Sequence, residues 1–117
     1  MSTTGSIRFQ AAAGVATLTL DRPDKRNAIS AAMCEQLRAG LERLRDDPAL
    51  RVGVLDAVGD TFCAGADLAA PPEHFWRAVP SVGIDIGKPL IAVVQGPVIG
   101  LALTIAAPAV AGGLGPT

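Results

Sequence analysis

The sequence predicts an α/β domain, and three features carry that expectation. Val15-Ala16-Thr17-Leu18-Thr19-Leu20 alternates large apolar with small or polar side chains, the period-two pattern of a half-buried strand. A helical repeat of Met33, Leu37, Leu41 and Leu44 follows. Two short, almost wholly apolar runs, at 52–58 and 90–94, then lead into glycine-rich stretches. Strands that alternate with helices in this way build an α/β unit, in which the short loops after the strands carry chemistry.

Along the chain, Ile7 to Phe9 is expected to pair with the 15–20 strand as a hairpin, and Asp21-Arg22-Pro23-Asp24 to end that strand. Ser30 is placed to cap the helix, whose Glu35, Arg38, Glu42 and Arg45 fall away from the apolar stripe. Asp46-Asp47-Pro48 stops it, because proline cannot continue a helix. Val52 to Val58 reads as a more buried strand, Pro72 to Val79 as a short helix, Leu90 to Val94 as another buried strand, and Gly100 to Ala107 as the start of a helix.

The length of 117 residues fits one small domain with a limited core, and neither an internal repeat nor a linker divides it. Ten Lys and Arg against eleven Asp and Glu leave a net charge of -1, which gives no electrostatic footing for nucleic acid or an anionic membrane. Cys34 and Cys63 lie on dissimilar segments, and the N-terminal MSTTGSIRF lacks the apolar stretch of a signal peptide. A reducing cytoplasm is the expected compartment. From Pro89 to Thr117 no residue is charged, but Gln95-Gly96-Pro97, Gly100, Pro108 and Gly112-Gly113 break the tract, whereas a spanning helix wants about 20 predominantly apolar residues.

The chemistry is expected in two turns. Thr61-Phe62-Cys63-Ala64-Gly65-Ala66-Asp67-Leu68 and Gln95-Gly96-Pro97-Val98-Ile99-Gly100-Leu101 each follow an apolar strand and lead toward a helix. Such turns leave N–H groups without intrahelical partners, and small side chains let a ligand approach the backbone. Two of them could direct their N–H groups at one carbonyl oxygen. Close packing of a turn against a sheet would account for the small residues equally well.

Three stretches in order, LDRPDKRNAIS (20–30), FCAGADL (62–68) and KPLIAVVQGPVIG (88–100), resemble the enoyl-CoA hydratase/isomerase, or crotonase, family. The resemblance runs from about residue 15 to about 106, with 107–117 a divergent tail. It implies a crotonase-like (ClpP/crotonase) spiral of ββα units, here incomplete and confined to an N-terminal portion, and subunits assembled as trimers or hexamers. It also implies a substrate carried as a coenzyme A thioester, with no further cofactor and no metal. By position, Ala66 and Leu101 would supply the two backbone N–H groups of an oxyanion hole that holds the thioester oxygen as an enolate forms. The Asn27-Ala28 turn, Ala64, Asp67, Leu68 and Gly100 would line the coenzyme A arm. Lys25 or Arg26 would stand near its phosphates, or else occupy a solvated loop.

The acids of the family do not follow. A hydratase needs two glutamates for its acid–base work, and the resemblance puts Thr104 where the first would stand. Threonine is no base at neutral pH. The Gly-Pro form of the turn resembles members, enoyl-CoA isomerases among them, that draw an acid from further along the chain, yet no Asp or Glu follows Asp85. The tail's Ala, Gly and Pro are what shifted reading of GC-rich codons yields, so a truncated or frameshifted gene is expected, which re-sequencing would check. The lead expectation is an acyl-CoA protein of fatty-acid or related breakdown, acting as a lyase or isomerase. The alternative is an inactive fragment that acts, if at all, by associating with other subunits.

Three remaining side chains read as structural. His74, beside Phe75 and Trp76, has no metal-ligand partner at suitable spacing. Cys63 suits a buried, inert small residue. Asp67 suits a helix cap within a binding loop.

Overall fold

The computed structural model describes residues 6–63, 84–94 and 110–113. Its framework is one five-stranded sheet, β1 (Ser6–Ala12), β2 (Val15–Asp21), β3 (Val52–Ala57), β4 (Leu90–Val94) and β5 (Val110–Gly113), with helix α1 (Ala31–Asp46) between β2 and β3 in the chain. The spatial order of the strands is their order in sequence. The first two run antiparallel, with Ala12 opposite Val15, so Ala13 and Gly14 alone make the turn. Both have positive φ, 54° and 80°, as the two-residue turn that matches strand twist requires. The remaining pairs are parallel.

Alternation sorts β2 into two faces. Ala16, Leu18 and Leu20 are buried, and Leu55 of β3 with Leu90 and Ala92 of β4 continue that face. Helix α1 covers it with Met33, Cys34, Leu37, Leu41 and Leu44, all buried, the i, i+3, i+4 stripe that the spacing predicts. The other face is half-buried and more mixed, with Thr17, Val54 and Ile91 on it. There Thr19 Oγ1 donates to Asp56 Oδ1 at 2.5 Å, across a directly paired position of β2 and β3.

Helix and sheet approach closely because two glycines permit it. A Cβ on Gly40 would lie 2.6 Å from Leu18 Cδ2, and one on Gly53 would lie 2.6 Å from Leu44 Cδ2 and 2.8 Å from Leu90 Cδ1. Both helix ends carry side-chain partners. Ser30 Oγ accepts from Met33 N at 3.2 Å, the expected cap. At the other end the Lys88 ammonium, arriving just before β4, donates to the carbonyls of Leu44 (2.6 Å) and Asp47 (2.8 Å). A cation there complements the negative end of the helix dipole.

The hairpin, the capped helix and the strands at 52 and 90 match the sequence reading. Strand β5 was not foreseen, since VAGG carries almost no strand signal. The helices expected at Pro72 to Val79 and Gly100 to Ala107 fall outside the described residues. No helix among the described residues is long and apolar enough to cross a membrane.

Candidate functional site

β2 and β3 are parallel neighbours, so their C-terminal ends open side by side, and the segments leaving them face each other. In open parallel sheets this is the end where ligands bind. The β2 exit begins with Arg22 and folds into a single 3-10 turn, Pro23–Lys25. Proline suits this start, having a fixed φ and no N–H to satisfy. Arg26 and Asn27 follow in left-handed conformation, with φ of 49° and 58°. Asparagine tolerates that region and arginine does so at a cost, which the surrounding bonds must offset.

Backbone bonds within the turn, among them Asn27 N to Arg22 O at 2.8 Å, supply part of this, and the side chain of Asn27, 1% exposed, supplies the rest. Its Nδ2 donates to the carbonyls of Val58 and Thr61, both at 2.8 Å, and its Oδ1 accepts from Arg22 N at 2.8 Å. Carbonyls can only accept and the Arg22 amide can only donate, so the partners themselves fix which way the carboxamide points. Arg22, 5% exposed, sends Nη1 to the carbonyl of Ala28 at 3.1 Å and so braces the far side of the turn.

The β3 exit is held at both ends. Val58 N donates to Leu20 O at 3.0 Å, extending the parallel ladder. Gly59 then turns the chain with φ of 83°, where a side chain would be strained. Phe62 and Cys63 are completely buried. Between the two exits lies a cleft of about 300 Å³, with Pro23, Arg26 and Asn27 on one wall and Val58 to Thr61 on the other. That is near the lower end of small-molecule sites, about 300 Å³ upward. It offers one guanidinium, from Arg26, and one carboxylate, from Asp60.

Of the residues read from sequence, Arg26 lines the cleft, Lys25 is exposed on the same turn, and Ala28 is half-buried beside it. Cys63 is buried, as is Cys34, and the two are not joined in a disulfide. Ala64, Ala66, Asp67, Leu68, Gly100 and Leu101, with His74 and Thr104, lie outside the described residues. No cluster of three or more His, Cys, Asp or Glu that could hold a metal occurs among the described residues. Sequence reasoning placed Asn27 as a lining residue and left Arg22 as the end of a strand. The structure keeps Asn27 on the cleft wall and makes both residues internal ties, and a polar side chain followed by Ala28 and Ile29 was the available signal for the first.

The sequence profile of the enoyl-CoA hydratase/isomerase family matches residues 10–110. The chain belongs to that family. Among its relatives, a probable enoyl-CoA hydratase of Mycobacterium tuberculosis is 37% identical, the match covering 79% of this chain and 40% of the relative. A carnitinyl-CoA dehydratase of Proteus mirabilis is 36% identical over 78% of this chain and 38% of its own length. Solved enoyl-CoA hydratase/isomerase structures superpose well. The probable enzyme from Mycobacterium abscessus gives a TM-score of 0.76 at 36% identity, covering 90% of this chain and 44% of the other. That from Mycobacterium thermoresistibile gives 0.79 at 31% identity, covering 89% and 47%. The α/β fold is therefore crotonase-like, and the chain spans about 40% of the length of these curated family members.

Proposed function

We propose that this chain binds an acyl-CoA thioester at the C-terminal ends of β2 and β3 and stabilises the enolate form of its acyl group. The observation that carries this reading is the cleft between the two strand exits, with exposed Lys25 and cleft-lining Arg26 on one side, in a chain of the enoyl-CoA hydratase/isomerase family. The basic turn suits the phosphates of coenzyme A. The opposite wall is Val58 to Thr61, and in sequence Phe62, Cys63, Ala64 and Ala66 follow it.

In this mechanism the backbone N–H groups of Ala66 and Leu101 donate to the thioester oxygen. Negative charge gathers there when the α-carbon loses a proton or its β-carbon neighbour gains a nucleophile. One such donor supplies about 3 kcal/mol of transition-state stabilisation, because it is oriented before the charge appears. Ala64, Asp67, Leu68 and Gly100 complete the walls along the coenzyme A arm, with Ala28 on the β2 side. The proton itself needs a carboxylate or another base, and Thr104 at the family's glutamate position cannot take that part. Binding and polarisation without turnover is therefore the behaviour expected of these 117 residues.

The test is to add crotonyl-CoA to the purified chain, measuring binding by calorimetry and turnover by loss of the enoyl-thioester absorbance. Binding with constant absorbance is the expected result. Turnover would show that an acid from another subunit or another segment completes the site. An absence of binding at millimolar thioester would overturn the acyl-CoA reading and favour a chain that acts only by association.

A further inference from the structure

We propose that Asn27 is a positioning residue for the thioester site, resting on the acyl-CoA reading above: its carboxamide sets how the β3 exit, and with it the chain entering Ala64, stands relative to the β2 turn. Both protons of Nδ2 go to carbonyls three residues apart on the β3 exit, those of Val58 and Thr61, at 2.8 Å each. Convergence of two carbonyls on one nitrogen bends that segment into a defined turn around Gly59. The remaining heteroatom, Oδ1, takes the Arg22 amide of its own turn. A single side chain thus joins the two walls of the cleft, with both of its donor hydrogens and its oxygen engaged inside the protein.

That use of the group separates Asn27 from a residue that touches ligand. At 1% exposure, with its donors and its acceptor engaged, it presents no free polar atom to a bound molecule. Beyond Thr61 the chain has no slack, since Phe62 and Cys63 are both fully buried. The direction in which the backbone leaves Cys63 is consequently referred to two fixed points, the core beneath it and the Asn27 carboxamide beside it. Coenzyme A contacts would come from Lys25 and Arg26 on the β2 side, and thioester polarisation from the β3 side. Asn27 is what keeps these two halves in register.

Two variants remove the tie without disturbing the left-handed backbone. Asn27→Asp keeps the acceptor for Arg22 N but turns a carboxylate oxygen toward two carbonyls. Asn27→Gly keeps the positive φ and deletes all three bonds. Each is examined as the full chain, at a temperature where circular dichroism shows it folded, with two probes: free coenzyme A and cinnamoyl-CoA, whose absorption moves to longer wavelength when its carbonyl is hydrogen-bonded. The expected result is a split. Cinnamoyl-CoA affinity falls by about tenfold and most of its red shift disappears, while free coenzyme A affinity changes by less than about threefold. A residue that only adds stability would leave both affinities and the red shift of the folded protein unchanged, and that result overturns the proposal. Equal weakening of both probes overturns it too.

If neither variant folds, hydrogen exchange of the Asn27 carboxamide in the wild-type chain decides. Protection of both Nδ2 protons with cinnamoyl-CoA bound supports the tie, and exchange at the rate of a free amide refutes it. A wild-type chain that binds cinnamoyl-CoA with no red shift, or not at all, sinks the acyl-CoA reading and this proposal with it. Wild-type binding and red shift that survive in both variants sink this proposal alone.

Discussion

Replacing Gly40 with alanine sets two effects of similar size against each other. Glycine in a helix interior costs about 1 kcal/mol relative to alanine, so propensity alone predicts a more stable protein. The new Cβ, however, would lie 2.6 Å from Leu18 Cδ2 and 3.3 Å from Phe9 Cδ2. Comfortable carbon–carbon contact is about 3.5 to 4.0 Å, so Leu18 would have to retreat by about 1 Å. It has nowhere to go, being fully buried on β2 between β1 and β3. Overpacking of a tight core costs about 1 to 3 kcal/mol, and an approach this short belongs to the upper part of that range. The net expectation for Gly40→Ala is a loss of about 1 to 2 kcal/mol, or about 4 to 8 °C in Tm for a chain of this size. Urea unfolding followed by circular dichroism measures it, the midpoint falling at unchanged slope. Leu18→Ala in the same chain provides the check on cause, because the double variant should cost less than the sum of the single ones. A Gly40→Ala protein more stable than wild type by the full propensity gain would refute the packing argument.

Further expectations concern the C-terminal end of α1. Lys88→Met removes the ammonium from the carbonyls of Leu44 and Asp47 and should cost about 1 to 2 kcal/mol, with faster amide exchange confined to the last turn of the helix as its local signature. The carboxyl of Asp46 is held below its ordinary value, first by the side-chain hydrogen bond from Arg45 and then by the attraction of Arg45 and Lys88. Since the folded value is the lower one, the contribution of this pair is present above the unfolded carboxylate range and disappears as pH falls through the folded value. NMR titration of the Asp46 carboxyl should show a depressed midpoint that returns toward the ordinary value in Arg45→Ala, and an identical midpoint in both proteins would contradict that cause.

The elements legible in the sequence are those whose signal is a repeat of apolar side chains. The stripe from Met33 to Leu44, capped by Ser30, and the alternation from Val15 to Leu20 declare their periods locally. The turn at Ala13-Gly14 is quieter. Its first residue is an alanine with φ of 54°, and nothing in AAAG announces a left-handed alanine, whose conformation is imposed by the pairing of Ala12 with Val15. β5 was missed for a related reason, because VAGG becomes a strand only where β4 offers it an edge. At the site, Arg26 and the basic turn were readable as charge. The part played by Asn27 was not, since it depends on carbonyls 31 and 34 residues away, and backbone acceptors leave no mark in the amino-acid code. The burial of Arg22 is equally a product of the fold, as a cation followed by proline reads more naturally as solvent-facing.

The agreement between strand order and chain order has a consequence for how the protein is made. Because β1 to β5, the strands among the described residues, stand side by side in the order in which they are synthesised, each of them meets a finished edge and need not enter between two strands already joined. The hairpin and α1 come first and can close over Leu18 and Leu20 before β3 exists. Assembly then proceeds as accretion from one side, and at each stage the growing sheet exposes one fresh edge to which the next segment of nascent chain adds.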